Sequence, residues 1–146
     1  MHTSLQFRFA TVADIAVLAP LNAQLLADEG NPNPLSLPEL QARMLGWLSS
    51  KDYRALVFEA DGQIAGYALY RHEPDHVYLR QFFVVPALRR SGVGKAALAW
   101  LWANDWQKAP CLRLELLSQN SAAQGFWRAV GLTDFYVTME MKRPGQ

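Results

Sequence analysis

Apolar and polar residues alternate through Leu5-Gln6-Phe7-Arg8-Phe9, the period-two signature of a half-buried strand. The period then lengthens. Ile15, Leu18, Leu21, Leu25 and Leu26 recur at helical spacing behind Thr11-Val12-Ala13-Asp14, which resembles a capping box. A helix is predicted there, kinked or broken at Pro20. Loop chemistry fills residues 28–34. A second capping box, Ser36-Leu37-Pro38-Glu39, opens a helix that carries Leu40, Met44, Trp47 and Leu48 on one face and ends near Ser50. Two apolar runs, 55–60 and 63–70, flank Asp61-Gly62, a favoured two-residue hairpin turn. Glu73-Pro74-Asp75 is another turn, and residues 76–85 form a third apolar strand closed by Pro86.

The next helix is apolar nearly all round, through Ala96, Ala97, Leu98, Ala99, Trp100, Leu101, Trp102 and Trp106. Such a helix is covered on more than one side. After Pro110, residues 111–117 alternate as a strand around Arg113 and Glu115. Asn120 or Ser121 caps a helix through Ala123, Phe126, Trp127 and Val130, with Gly131 at its C-terminal end. Residues 135–141 read as a last strand. The order is strand, two helices, three strands, helix, strand, helix, strand. Hairpins make antiparallel pairs, and the crossover over 76–117 makes a parallel one. An α/β fold with a mixed central sheet and helices on both faces follows, as one domain over residues 1–146.

Composition narrows the class. A formal net charge of +1 argues against nucleic acid or an anionic membrane as partner. One cysteine, Cys111, excludes an internal disulfide and a cysteine-based zinc site, and it reads as a core residue. His72 and His76 flank a turn without a third ligand, so no metal is predicted. No run of apolar residues has membrane-spanning length, and the N-terminus reads as a strand where a secretory leader would have an apolar core. A soluble, cytoplasmic protein is expected.

Chemistry concentrates in Val84-Val85-Pro86-Ala87-Leu88-Arg89-Arg90-Ser91-Gly92-Val93-Gly94-Lys95. A strand ends, a glycine turn follows, and a helix starts. Helix starts leave unpaired N–H groups and a partial positive charge. Gly92 and Gly94 let an anion approach the backbone. Arg89, Arg90 and Lys95 sit at the wrong end for the helix dipole, and no acidic residue lies between Asp75 and Asp105 to neutralise them. A bound polyanion would repair that misplacement.

The chain resembles the GNAT superfamily of acetyl-CoA-dependent N-acetyltransferases over essentially its whole length. Val84-Val85-Pro86 followed by Arg89-Arg90-Ser91-Gly92-Val93-Gly94 is similar to the superfamily's Val-x-Pro and Arg-x-x-Gly-x-Gly motif. Asn120, Ala123, Phe126, Trp127, Gly131 and Leu132 resemble its second motif. The resemblance implies a three-layer α/β/α fold with a splayed sheet. It also implies a coenzyme diphosphate held on residues Arg89, Arg90, Ser91, Gly92, Val93, Gly94 and Lys95. The pantetheine arm would lie along Phe83, Val84 and Val85, with a bulge near Val84 and Val85 and a main-chain N–H there polarising the thioester carbonyl. Asn120 and Trp127 would complete the coenzyme site. Trp127 stands where many members have a tyrosine acid, and an indole cannot supply a proton. Residues 132–146 leave room for little more than one strand, so the loop at 29–35 would shape the acceptor pocket.

Transfer of acetyl to an amine requires removal of an ammonium proton and donors for an oxyanion. Glu29 and Glu115 are the candidate bases, and Tyr78 and Tyr136 the candidate proton donors. Each has a bland alternative: a solvated charge or ion pair for the acids, and sheet packing for the tyrosines. Arg80 requires an anion. Either Glu115 pairs with it across the sheet, or it binds a carboxylate on the acceptor, with Gln81 helping to orient a small amino acid-like or peptide-like amine. Trp100, Trp102 and Trp106 read as core, with a homodimer face as the alternative. The leading function is direct acetyl transfer from acetyl-CoA to a primary amine of a small molecule or peptide. A non-catalytic acyl-CoA-binding module is the alternative. A nucleotide-binding site of another kind is disfavoured, because the turn has neither Walker nor Rossmann spacing.

Overall fold

A computed structural model describes residues 4–30 and 34–145. These fall into two compact units, Met1–Glu115 and Leu116–Gln146. The first contains β1 (Leu5–Phe9), α1 (Ile15–Asp28), α2 (Leu37–Ser49), β2 (Tyr53–Ala60), β3 (Gln63–His72), β4 (Val77–Val84), α3 (Val93–Asn104) and β5 (Leu112–Arg113). The second contains α4 (Ser121–Ala129). The five strands form one sheet in the order β1-β2-β3-β4-β5. All pairs are antiparallel except β4 with β5, which is parallel. The mixed sheet, and the helix-strand order as far as α4, follow the sequence pattern.

Local chemistry explains the elements. Asp61 and Gly62 both take positive φ, 51° and 83°, the geometry of a hairpin turn whose twist matches its strands. Ser36 Oγ accepts from Glu39 N at 3.3 Å and Glu39 Oε1 accepts from Ser36 N at 2.9 Å, closing the capping box of α2. The first helix shows no break at Pro20. It runs unbroken from Ile15 to Asp28 with Pro20 inside. The carbonyl that Pro20 leaves without a helical partner belongs to Ala16, which is exposed and open to water.

Helices cover both faces of the sheet in the first unit. On one, Leu18, Leu21 and Met44 from α1 and α2 pack on Ala55, Val57, Tyr67, Leu69 and Phe83. On the other, Trp100 of α3 meets Phe7 and Phe9, Phe58 meets Phe82, and Tyr70 meets Trp106. Trp106 is fully buried, whereas Trp102 is 40% exposed.

Two strands fall short of the pattern. Only Leu112 and Arg113 of the expected 111–117 run are in strand. Residues 135–141 form no strand, although Phe135, Val137, Met139 and Met141 alternate; all four are exposed. Alternation gives a segment two faces but no hydrogen-bond partner, and a strand exists only within a ladder. Among the described residues no helix is long and apolar enough to cross a membrane.

Candidate active site

The site begins where β4 parts from β5. Val77 pairs with Leu112 and Tyr78 with Arg113, and the ladder then ends while β4 continues to Val84. The other side of β4 stays stitched to β3. Val85 N–H donates to Ala65 O at 2.8 Å. Backbone polarity alternates along a strand, so the N–H and carbonyl of Val84 point away from β3, to the side that β5 has left. The carbonyl bears this out by accepting from Arg89 Nε at 2.8 Å. Gly66 permits the close approach. A Cβ there would lie 2.1 Å from the Phe83 carbonyl oxygen.

The bulge is not at Val84 and Val85. The register slips between Leu69 and Tyr70: Leu69 faces Gln81, Tyr70 faces Leu79, and Arg80 is the unmatched residue. The bulge leaves Arg80 and Gln81 neighbours on the face covered by α1 and α2, where Arg80 reaches Trp47 and Gln81 reaches Tyr67.

After Val84 the chain makes a short 3-10 turn, Pro86–Leu88, and then a glycine turn. Arg90 takes φ 64° and Gly92 φ 91°, two left-handed residues bracketing Ser91 just before α3. Ser91 Oγ donates to Leu88 O. Ala96 N–H is the first to bond back into the helix, to Gly92 O at 3.0 Å. The backbone N–H groups of residues 90–95 have no acceptor among the described residues. Val93 is buried and anchors the helix start, so the free amides collect beside the splayed strand end.

The cations here are not all unpaired. Arg89 Nη2 donates to Asp28 Oδ2 at 2.8 Å, and its guanidinium lies 5.2 Å from the centroid of the Phe83 ring. The neutralising acid comes from the end of α1, far away in sequence. Arg89 thus ties the turn to α1, while Arg90 and Lys95 have no ion pair among the described residues. The cationic cradle therefore consists of two side chains and the amide row.

A buried polar cluster lies under α1 and α2. Tyr67 Oη donates to Gln81 Oε1 at 2.9 Å. Burial, its largest cause, holds the Tyr67 hydroxyl far above the usual phenol range, so Tyr67 stays protonated. Arg43 Nη2 donates to Asn22 Oδ1 at 2.9 Å, and Asn22 is fully buried. Glu29 is half-buried at the C-terminal end of α1. Desolvation raises its pKa, opposed by Arg43 and aided by Asp28.

The other expected residues fall as follows. Glu115 accepts from Tyr78 Oη at 3.0 Å and does not pair with Arg80, whose contacts are Tyr53 Oη at 3.5 Å and the Trp47 ring. Asn120 caps α4, accepting from Ala123 N at 3.2 Å. Trp127 is buried, with Phe126 edge-on at 4.9 Å between ring centroids. Tyr136 is 83% exposed, its ring beside Phe135. Cys111 is half-buried at the start of β5, its Sγ 3.5 Å from Asp75 O. Residues 31–33 of the expected acceptor loop lie outside the described residues. Sequence reasoning did not bring Asn22, Arg43, Tyr53 and Trp47 together with Arg80 and Gln81. The signal was there for two: Asn22 sits within the apolar stripe Leu18-Leu21-Leu25, and Arg43 within Leu40-Met44-Trp47.

A mixed sheet with helices on both faces, whose fourth strand parts from the fifth beside acceptor-free amides at a helix start, defines an α/β protein. Residues 22–132 match the acetyltransferase (GNAT) family, and the chain belongs to that family. Its fold resembles that of the aminoglycoside N-acetyltransferase AAC(6')-Iy, solved in complex with CoA (TM-score 0.78, 17% identity, covering 99% of this chain and 97% of that one). It also resembles a ribosomal-protein-alanine N-acetyltransferase from Brucella melitensis biovar Abortus 2308 (0.77, 15%, 96% and 100%). A predicted acetyltransferase from Clostridium acetobutylicum, solved with acetyl-CoA, is similar too (0.75, 18%, 95% and 96%). No curated protein matches the sequence.

Proposed function

We propose that the protein transfers an acetyl group from acetyl-CoA directly to a primary amine of a small molecule or peptide. The observation that carries this reading is the pairing of a splayed β4 edge with the acceptor-free amides of residues 90–95. The amides, with Arg90 and Lys95, hold the diphosphate by charge-assisted hydrogen bonds. The open edge of β4 takes the amide-bearing pantetheine arm as a strand would be taken. Val84 N–H, facing that edge, donates to the thioester oxygen as charge develops on it.

Glu29 accepts the ammonium proton of the incoming amine, directly or through a water. Its raised pKa brings it closer to an amine's own and so makes it a better base than an exposed glutamate. The free amine attacks the thioester carbon, the C–S bond breaks, and CoA leaves as a thiolate, which takes up the proton that the nitrogen sheds on becoming an amide. A thiol of ordinary pKa near ~8.5 needs no strong acid to depart, so the indole at 127 is compatible with turnover. Tyr78 donates to Glu115, which engages that acid in an interaction remote from the strand end, and Glu29 is therefore the better base. A cytoplasmic location suits this reading.

A panel of primary amines incubated with acetyl-CoA, with release of free thiol measured, tests it. Amine-dependent thiol release is expected. CoA binding without release for any amine would favour the non-catalytic binding module and overturn the transferase.

A further inference from the structure

Most arginines of the first unit face a carboxylate. Arg8, Arg54, Arg71, Arg89 and Arg113 each form an ion pair. Apart from Arg90 in the cradle, the exceptions are Arg43 on α2 and Arg80 on the bulge of β4. These two converge on one indole. The Arg43 guanidinium lies 4.8 Å from the Trp47 ring centroid and that of Arg80 lies 5.1 Å from it. Neither is ion-paired among the described residues, although the charge of Glu29 reaches Arg43 through space.

The polar surroundings are also incomplete. Among the described residues, Arg43 Nε is sealed from solvent without a hydrogen-bond partner, and so is Nδ2 of the fully buried Asn22 that receives Arg43 Nη2. Besides the Trp47 ring, Arg80 has a long contact to Tyr53 Oη, at 3.5 Å. Two like charges brought together on an aromatic face cost free energy unless an anion joins them. Burial and the neighbouring Arg80 both depress the Arg43 pKa, which is the same conflict read as titration. Glu29 acts on Arg43 through space, with no ion pair between them among the described residues, and therefore remains free to meet an amine.

We propose that Arg43 and Arg80, held by Trp47, form a carboxylate-recognition site for the acceptor, so that the substrate is an amine that also carries a free carboxylate. Bidentate arginine–carboxylate bonds supply the missing partner, and Glu29 receives the ammonium end. Val84 lies four residues beyond Arg80 along the strand, roughly 13 Å at strand rise. An acceptor of short-peptide length spans this gap better than a free α-amino acid. This inference rests on the transferase reading, and its test separates the two.

Di- and tripeptides are compared with their C-terminal amides in the thiol-release assay, using wild type, Arg80→Gln and Arg43→Gln. Arg80 is exposed, so Arg80→Gln keeps the proposal testable if Arg43→Gln fails to fold. Wild type is expected to favour the free carboxylates at least tenfold in kcat/KM. Arg80→Gln is expected to lose that preference, its kcat/KM for the free carboxylates falling to the level of the amides. Amides turned over as well as the carboxylates by wild type would overturn the proposal and leave the transferase intact. If no acceptor is turned over, calorimetric titration of the same peptides into the CoA complex decides. Binding of the carboxylate forms that Arg80→Gln abolishes supports the site, and no binding by any of them overturns it.

Discussion

Two glycines separate space from conformation. Gly66 has ordinary φ but no room, because a Cβ would meet the Phe83 carbonyl at 2.1 Å and a Phe58 ring carbon at 3.0 Å. Gly92 has room, with nothing within 4 Å of a Cβ, but holds φ at 91°. Gly66→Ala therefore forces the backbones of β3 and β4 apart and is expected to cost roughly 3 kcal/mol or more. Gly92→Ala is expected to cost about 1 kcal/mol, the strain of a left-handed non-glycine residue. Urea unfolding of both variants measures the difference, and equal costs would contradict this division. Glu29 makes a prediction with a sign. A base works when deprotonated, and burial raises the pKa of this one, so kcat should climb with pH through a value above that of an ordinary glutamate. Glu29→Gln should remove that limb and lower kcat about a hundredfold, with KM for acetyl-CoA unchanged. An unaltered pH profile would exclude Glu29 as base.

Elements were legible where one short stretch carries its own reason. β1, the Asp61-Gly62 hairpin, the Ser36 capping box and the Asn120 cap all follow from residues within one turn of each other. Asn120→Ala should weaken the first turn of α4 by about 1 kcal/mol, which hydrogen exchange at Ala123 can measure. Unchanged exchange there would show that the cap is not holding the turn. Elements that depend on a partner strand were less legible. Residues 135–141 have the alternation of a strand and form none, and β5 keeps only two residues. The bulge at Arg80 escaped notice for the same reason. A register slip belongs to a pair of strands, and one strand's sequence does not show where its neighbour adds or omits a residue.

At the scale of the molecule, the cradle could be read from the chain but its charge balance could not. Gly92, Gly94 and three cations stand together in sequence. Asp28, which neutralises one of them, lies 61 residues from Arg89. Arg80 comes to Arg43 in the same way, across the ring of Trp47, which lies one helical turn from Arg43 but 33 residues from Arg80. Long-range pairs such as Arg80 with Trp47 are set by the docking of α1 and α2 on the sheet, and no local pattern encodes them. The sheet keeps β4 bonded to β3 through Val85 while releasing it from β5, so the end of β4 has no strand beside it on the β5 side.

Calorimetric titration of CoA into wild type and into the double variant Arg90→Ala, Lys95→Ala tests this arrangement most directly. The wild type should bind, and the double variant, with its circular dichroism unchanged, should bind at least tenfold more weakly. Equal affinity in the two proteins would contradict the claim that this turn grips the diphosphate.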